Sequence, residues 1–390
     1  MSKPMLRISN KFGCGLALAL LIPVGGAHAK STETVLYSFT GGADGSNPFA
    51  GLIKDASGNL YGTTVEGGAH GLGTVFKLAP DGTETALWSF TGADGSYPEG
   101  GLIMDTSGNL YGTTSSGGAD GDGTVFEVAL NGAETVLHSF TGGSDGKGPQ
   151  AGLIMDKKGK LYGTTLFGGT NGDGTVFKVA PGGAETVLYS FTGKADGSLP
   201  GAGLIRRNGN FYGTTEGGGA ENLGTVFKLS PDGTETVLYS FCPNYPDCSD
   251  GVLPVGGLIA DSAGNLFGTT SADGGGGGTV FKLAPDGTET TLWSFTGGAD
   301  GSEPQAGLVR ENGNLYGTTL LGGANGLGTV FKVARDGTET VLYSFDSVAN
   351  GADGFEPYAG LIKDESGNLY GTTYAGGADA NGVVFKITKR

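Results

Sequence analysis

Tyr61-Gly62-Thr63-Thr64 returns as Tyr111-Gly112-Thr113-Thr114 and then five more times, starting at Tyr162, Tyr212, Phe267, Tyr316 and Tyr370. Successive copies lie 50, 51, 50, 55, 49 and 54 residues apart. A period of this length marks a supersecondary unit that cannot bury its apolar face alone and must stack on its neighbours. The repeat therefore overrides the two or three domains that 390 residues would otherwise suggest.

Around the tetrapeptide the unit reads as four short strands. Val35-Leu36-Tyr37-Ser38-Phe39 is β-branched and aromatic. The turn-formers Gly41 to Pro48 follow, and Pro48 can open a strand, where a missing N–H costs little. Leu52-Ile53 is strand a, preceded by small residues that fit a strand crowded near an axis. Asp55 to Asn59 is a turn, and Leu60 to Thr64 is strand b. After a glycine-rich loop, Thr74 to Leu78 is strand c, and Pro80-Asp81-Gly82-Thr83 is a hairpin leading into strand d, Ala86 to Phe90. Four strands per unit at this period match a propeller blade. The competing solenoid needs shorter coils and atypical end caps.

The phase of the two ends points to a closed ring. The chain enters on a d strand, Val35 to Phe39, and leaves on a c strand, Val383 to Ile387. Pairing the two removes two open edges at once. The expected fold is all-β: a seven-bladed β-propeller of four-stranded antiparallel blades over residues 30–390, closed by the N-terminal strand joining the last blade. Alternating strand direction then puts the d–a and b–c loops on one face and the shorter a–b and c–d turns on the other.

Gly supplies 80 residues without a Gly at every third position, which excludes collagen. The hydrophobic fraction of 37% suits thin core layers between sheets. Lys3, Arg7 and Lys11, the apolar run Cys14 to Val24, and Ala27-His28-Ala29 read as a signal peptide, residues 1–29, cut after Ala29. Losing those three basic residues takes the net charge from −16 to −19. So acidic a surface repels phosphate backbones and anionic lipid, and no second apolar stretch approaches membrane-spanning length, so neither nucleic acid nor membrane insertion is expected of the processed chain. Cys242 and Cys248, alone after processing, are expected to close a disulfide outside the cytosol.

Each candidate site has a structural role that accounts for it as well. One Asp-Gly falls in every d–a loop: Asp44, Asp94, Asp145, Asp196, Asp250, Asp300 and Asp353. These carboxylates could ring the channel mouth and hold Ca²⁺ or a basic ligand, or could simply bond backbone N–H groups of their turns. Asp120 and Asp122 resemble a fragment of a Ca²⁺ loop without its full spacing or closing Glu, so they are weak Ca²⁺ candidates, with no metal assigned and no other cofactor expected. Lys77 and its equivalents should meet Glu84 and its equivalents diagonally across the c–d hairpin. His138 stands where other units carry Tyr or Trp, which makes it a packing residue, and no Ser-His-Asp set or zinc spacing stands out.

The run Gly-Leu-Ile-x-Asp-x-x-Gly-Asn-Leu-Tyr-Gly-Thr-Thr, followed by Gly-Gly and Gly-Thr-Val-Phe-Lys, resembles the GloVer-type tandem repeat of secreted bacterial proteins, across Val35 to Ile387. The resemblance implies export and a propeller-like array, and brings no catalytic residues. Many relatives carry a C-terminal surface anchor; none is read in this sequence, so attachment to the cell surface is not expected. The expectation is an exported, monomeric, non-catalytic propeller, in the periplasm or outside the cell, binding a glycan or a protein at its loop-rich face. The alternatives are a lyase or glycoside hydrolase using carboxylates at the central opening, and a structural envelope protein.

Overall fold

The computed structural model describes residues 31–273, 275–346 and 353–389. The expected leader and its cleavage point lie outside them. The described residues form seven four-stranded antiparallel sheets and no helix, so none is long and apolar enough to cross a membrane. In blade 1 strand a is Ile53–Lys54, b Leu60–Thr64, c Thr74–Leu78 and d Glu84–Ser89. Five further blades follow in order. Blade 7 supplies Ile362–Lys363, Leu369–Thr373 and Val383–Thr388, and takes its d strand, Thr32–Ser38, from the start of the chain. Thr32 faces Thr388 and Ser38 faces Val383, so the ring closes as the end phases imply.

Strand a is the innermost. A Cβ added to Gly51 would sit 3.2 Å from the carbonyl oxygen of Gly360 in the blade before it. The same approach, at 3.1–3.9 Å, runs on through Gly101, Gly152, Gly203, Gly257, Gly307 and Gly360. Seven glycine backbones thus line the axis, and side chains there would force the blades apart.

The core is divided among the blade interfaces, as the low apolar fraction suggests. One layer joins Phe39, Tyr370 and Val384 of blade 7 to Leu52, Leu60, Phe76 and Leu78 of blade 1. The glycine of the tetrapeptide is required here. A Cβ on Gly62 would lie 2.7 Å from Cζ of Phe76, whose ring lies across strand b, and Gly112 meets Phe126 in the same way at 2.6 Å.

The two threonines divide the labour. Thr64 Oγ1 lies 2.8 Å from Thr74 Oγ1 and donates to the Glu66 carbonyl at 3.0 Å, tying strand b to c within its blade. The first threonine reaches across the interface: Thr113 donates to Ala151 O at 3.0 Å, and Thr372 to Ala50 O at 3.0 Å. Thr63 is the exception, its buried hydroxyl having no partner.

One expected pairing is corrected. Among the described residues no strand-c lysine forms an ion pair with a strand-d glutamate. The register pairs Leu78 with Glu84 and Lys77 with Thr85. Side chains alternate faces along a strand, so Lys77 and Glu84 point to opposite sides of the sheet. Glu84 shares the side of buried Leu78, and burial, with help from the charge of Asp44, pushes its carboxyl up to about 7.

Candidate functional site at the channel mouth

On the loop-rich face every blade carries the same frame. Ser46 and Glu66 exchange backbone hydrogen bonds, N to O at 2.9 and 3.1 Å, which ties the d–a loop to the b–c loop. The next residue is left-handed in all seven blades, yet only one of the seven is glycine: Asn47, Tyr97, Gly148, Leu199, Leu253, Glu303 and Glu356, with φ between 56° and 63°. Each is held from both sides. Asn47 N–H donates to Asn381 O of the preceding blade at 2.8 Å, and Asn47 O accepts from Val65 N–H at 3.1 Å. Two hydrogen bonds per residue offset the strain of a left-handed side chain, and sites under such strain cluster where function does.

The strand-opening proline follows, then one residue of free identity, then the small residue before the axial glycine. The free position holds Phe49, Glu99, Gln150, Gly201, Val255, Gln305 and Tyr358. Its neighbour at the end of strand b is equally free: Val65, Ser115, Leu166, Glu216, Ser271, Leu320 and Tyr374. These positions surround the opening two residues above the glycine ring, and they break the sevenfold symmetry.

The break is strongest at the joint between blades 7 and 1. Phe49 stacks on Tyr358 with centroids 4.8 Å apart, and Tyr374 stands edge-on to both, at 6.4 and 5.5 Å. Phe49 and Tyr358 are half-buried. Burial raises the Tyr374 phenol, and the charges of Glu66, Glu356 and Glu99 raise it further. Tyr358 is raised by burial and then by Glu356, with Glu303 adding to it. The charges of these acidic side chains therefore reach the aromatic group. Glu99 accepts from Ser115 Oγ at 3.1 Å, and burial lifts its carboxyl above the ordinary range, as it does that of Glu216.

The seven aspartates of the d–a loops lie elsewhere. Asp44 accepts from Tyr37 Oη at 3.0 Å, Thr40 N at 2.8 Å and Thr40 Oγ1 at 2.6 Å. Asp94 accepts from Trp88 Nε1 at 2.9 Å, and Asp196 from Tyr189 Oη at 2.9 Å. Asp250 and Asp353 bind Tyr239 and Tyr343 in the same way, at 2.8 and 2.6 Å. Asp145 holds Thr141 and stands 3.5 Å from His138 Nε2, and Asp300 holds Thr296. All seven carboxylates are thus turned to the end of their own strand d, the outermost of the blade. They sit at the rim, away from the axis, and clip the loop to the sheet.

Asp122 pairs with Lys147 Nζ at 2.6 Å, and its carboxylate lies against Gly142 of the following loop; Asp120 is exposed. Among the described residues no three His, Cys, Asp or Glu side chains gather closely enough to hold a metal ion. Cys242 and Cys248 are disulfide-bonded with Cα atoms 4.4 Å apart, and Asp250 accepts from Cys242 N–H at 2.9 Å, anchoring the insertion to its blade. His138 packs edge-on to Phe140, centroids 4.7 Å apart, in the place of Tyr37 and its equivalents.

Phe49, Tyr358 and Tyr374 are hidden in the sequence because they stand in columns the units do not share. The signal that marks them is variation in two columns, directly after the proline and directly after the second threonine of strand b.

No curated protein sequence matches the chain. Among solved structures, a gluconolactonase from Xanthomonas campestris is 14% identical with a TM-score of 0.48, covering 92% of this chain and 90% of its own. A structure from Bacteroides uniformis, assigned as a 6-phosphogluconolactonase, is 16% identical with a TM-score of 0.46, covering 83% and 89%. The model of the Gloeobacter/Verrucomicrobia repeat matches residues 26–227 and 205–390. Those two matches together span the whole propeller, and the chain belongs to the Gloeobacter/Verrucomicrobia repeat family.

Proposed function

We propose that this protein is an exported binding propeller that takes a glycan at the mouth of its axial channel, on the blade 7–blade 1 side. The observation that carries this reading is the group Phe49, Tyr358 and Tyr374, placed at positions the repeat leaves free. A sugar ring offers a C–H face to an aromatic ring and hydroxyls to carboxylates, and the charges of Glu66, Glu99 and Glu356 reach Tyr374. The rigid frame below them lowers the entropy lost on binding. The disulfide and the leader read in the sequence support a location outside the cytosol.

The test is glycan-array binding by the processed protein, with and without Ca²⁺, alongside Phe49→Ala and Tyr358→Ala. Each variant should lose about tenfold or more in affinity, since such anchors carry on the order of 1–3 kcal/mol. A wild-type protein that captures no glycan, or variants that bind as well as it does, would overturn the reading.

A hydrolytic or lyase reading has one specific support: Glu99 and Glu216 are mouth carboxyls pushed upward by burial, as a general acid requires. Oligosaccharide cleavage that disappears in Glu99→Gln while binding persists would favour it over simple capture.

A further inference from the structure

On the opposite face, grooves open between neighbouring blades. The groove between blades 7 and 1 encloses about 570 Å³, within the range of small-molecule sites. Those between blades 2 and 3 and between blades 4 and 5 enclose about 490 and 330 Å³. We propose that the 7–1 groove is a second binding site, for a small organic anion with a carboxylate or phosphate head on a ring whose C–H face lies on the apolar floor.

Two lysines converge there. Lys54 Nζ, from blade 1, lies 4.8 Å from the centroid of the Tyr370 ring, and Lys386 Nζ, from the last strand, 5.7 Å from it. Neither makes an ion pair among the described residues. The groove floor is apolar, built from Val35, Leu36, Leu60, Leu78 and Pro80. The carboxylates nearby are engaged. Asp364 accepts from Tyr370 Oη at 2.9 Å and Asn368 Nδ2 at 2.8 Å, and Asp81, on the rim, accepts from Thr83 N–H at 3.0 Å.

The other blades serve as internal controls. Between blades 2 and 3 the matching positions are Glu127 and Met155. Between blades 4 and 5 Lys228 remains, but Ala260 replaces the second cation, and the Arg207 guanidinium is bonded to the carbonyls of Asp261 and Ser262. Arg206 reaches Asp156 at 3.9 Å, Arg310 reaches Asp261 at 4.0 Å, and Lys363 pairs with Glu311 at 2.8 Å. Among the described residues, the 7–1 groove sets two lysines over an apolar floor with no carboxylate within ion-pair distance of either, although the Lys54 charge still reaches Asp364. On so acidic a chain, two ammonium groups over one tyrosine ring form a local anion trap, and Lys acts there as a point charge that accepts carboxylate or phosphate alike. The walls come from both ends of the chain, Val35 and Leu36 from the first strand and Lys386 from the last. Binding would therefore tighten the closing joint.

The experiment titrates the processed protein with D-glucuronate, D-glucose 6-phosphate and D-glucose, by calorimetry and by thermal midpoint. At least one anion should bind and raise the midpoint, neutral glucose should do neither, and affinity should weaken with salt. Which anion binds more tightly identifies the head group. Lys54→Gln, at an exposed position, and Lys386→Gln should each weaken binding about tenfold, while Lys228→Gln should not change it. Equal binding of glucose, unchanged affinity in both lysine variants, or no binding of either anion up to roughly 10 mM overturns the proposal.

Discussion

The hydroxyl of Thr372, in the last blade, donates to the carbonyl of Ala50, in the first, at 3.0 Å across 322 residues of chain. Ordinary interfaces make the same bond, as from Thr113 to Ala151. The closing joint is thus built like the others, with the N-terminal strand added to it. Thr372→Val should cost about 1 kcal/mol by removing that bond and leaving the Ala50 carbonyl without it. Thr63→Val is the matched control, because the Thr63 hydroxyl has no partner to lose. It should be neutral or slightly stabilising. Urea midpoints of the two variants against the parent protein check the difference, and equal losses would refute it.

Gly62 is held to glycine by one ring. Gly62→Ala drives a Cβ to 2.7 Å from Phe76 Cζ and 3.0 Å from Leu52 Cδ2. The expected loss is about 1–3 kcal/mol, as for other overpacked cores. Phe76→Leu should also destabilise, through the space it leaves, but the double variant should lose less than the two single losses together. A double-mutant cycle in urea measures that coupling, and strict additivity would show that the ring is not the obstacle.

Seven half-buried glutamates set a pH dependence. Burial pushes Glu33, Glu84, Glu134, Glu185, Glu235, Glu289 and Glu339 up to about 7 from 4.5. Between those two values the folded chain holds more protons than the unfolded one, so stability falls as pH rises from about 4.5 through 7 and then levels. Asp44, Asp145 and Asp196 are held below their ordinary 3.8 despite burial, chiefly by hydrogen bonds from threonine, so they act in the opposite sense and lose stability as pH falls below that value. The thermal midpoint should therefore be higher at pH 5 than at pH 8. Glu84→Gln should be the more stable protein at pH 8 and should narrow the gap. A midpoint that rises from pH 5 to pH 8 contradicts this account.

Rim and mouth should separate in function. Asp196→Ala removes the acceptor of Tyr189 and Thr192 and should cost about 1–3 kcal/mol, with glycan binding retained by the folded fraction. Tyr358→Ala should lose glycan binding first. Thermal melts and binding isotherms on the same two preparations decide the matter, and a reversed pattern would return the site to the rim aspartates.

Much of this architecture was open to reading from the chain alone, because the repeat states the same local rules seven times. Strand count, turn chemistry and blade number follow from the period. Closure follows from the orphan d strand at one end and the missing d strand at the other. The small residues before Leu52 already implied a crowded axis, which the glycine ring made concrete.

Side-chain direction was another matter. A period of two is exact, so one residue of register decides whether Lys77 meets Glu84 or faces away from it, and only strand pairing sets that register. The Asp-Gly loops were visible in the sequence, but whether Asp44 looks toward the axis or toward Tyr37 depends on the blade's tilt and twist. The mouth was least legible of all. Phe49 lies more than 300 residues from Tyr358 and Tyr374 in the chain, and ring closure alone brings them together. The sequence by itself determined the blade and its sevenfold repetition, since those rest on local propensity and apolar period. Tertiary structure alone decided which side chains share a surface, since that contact is created by the geometry of the closed ring.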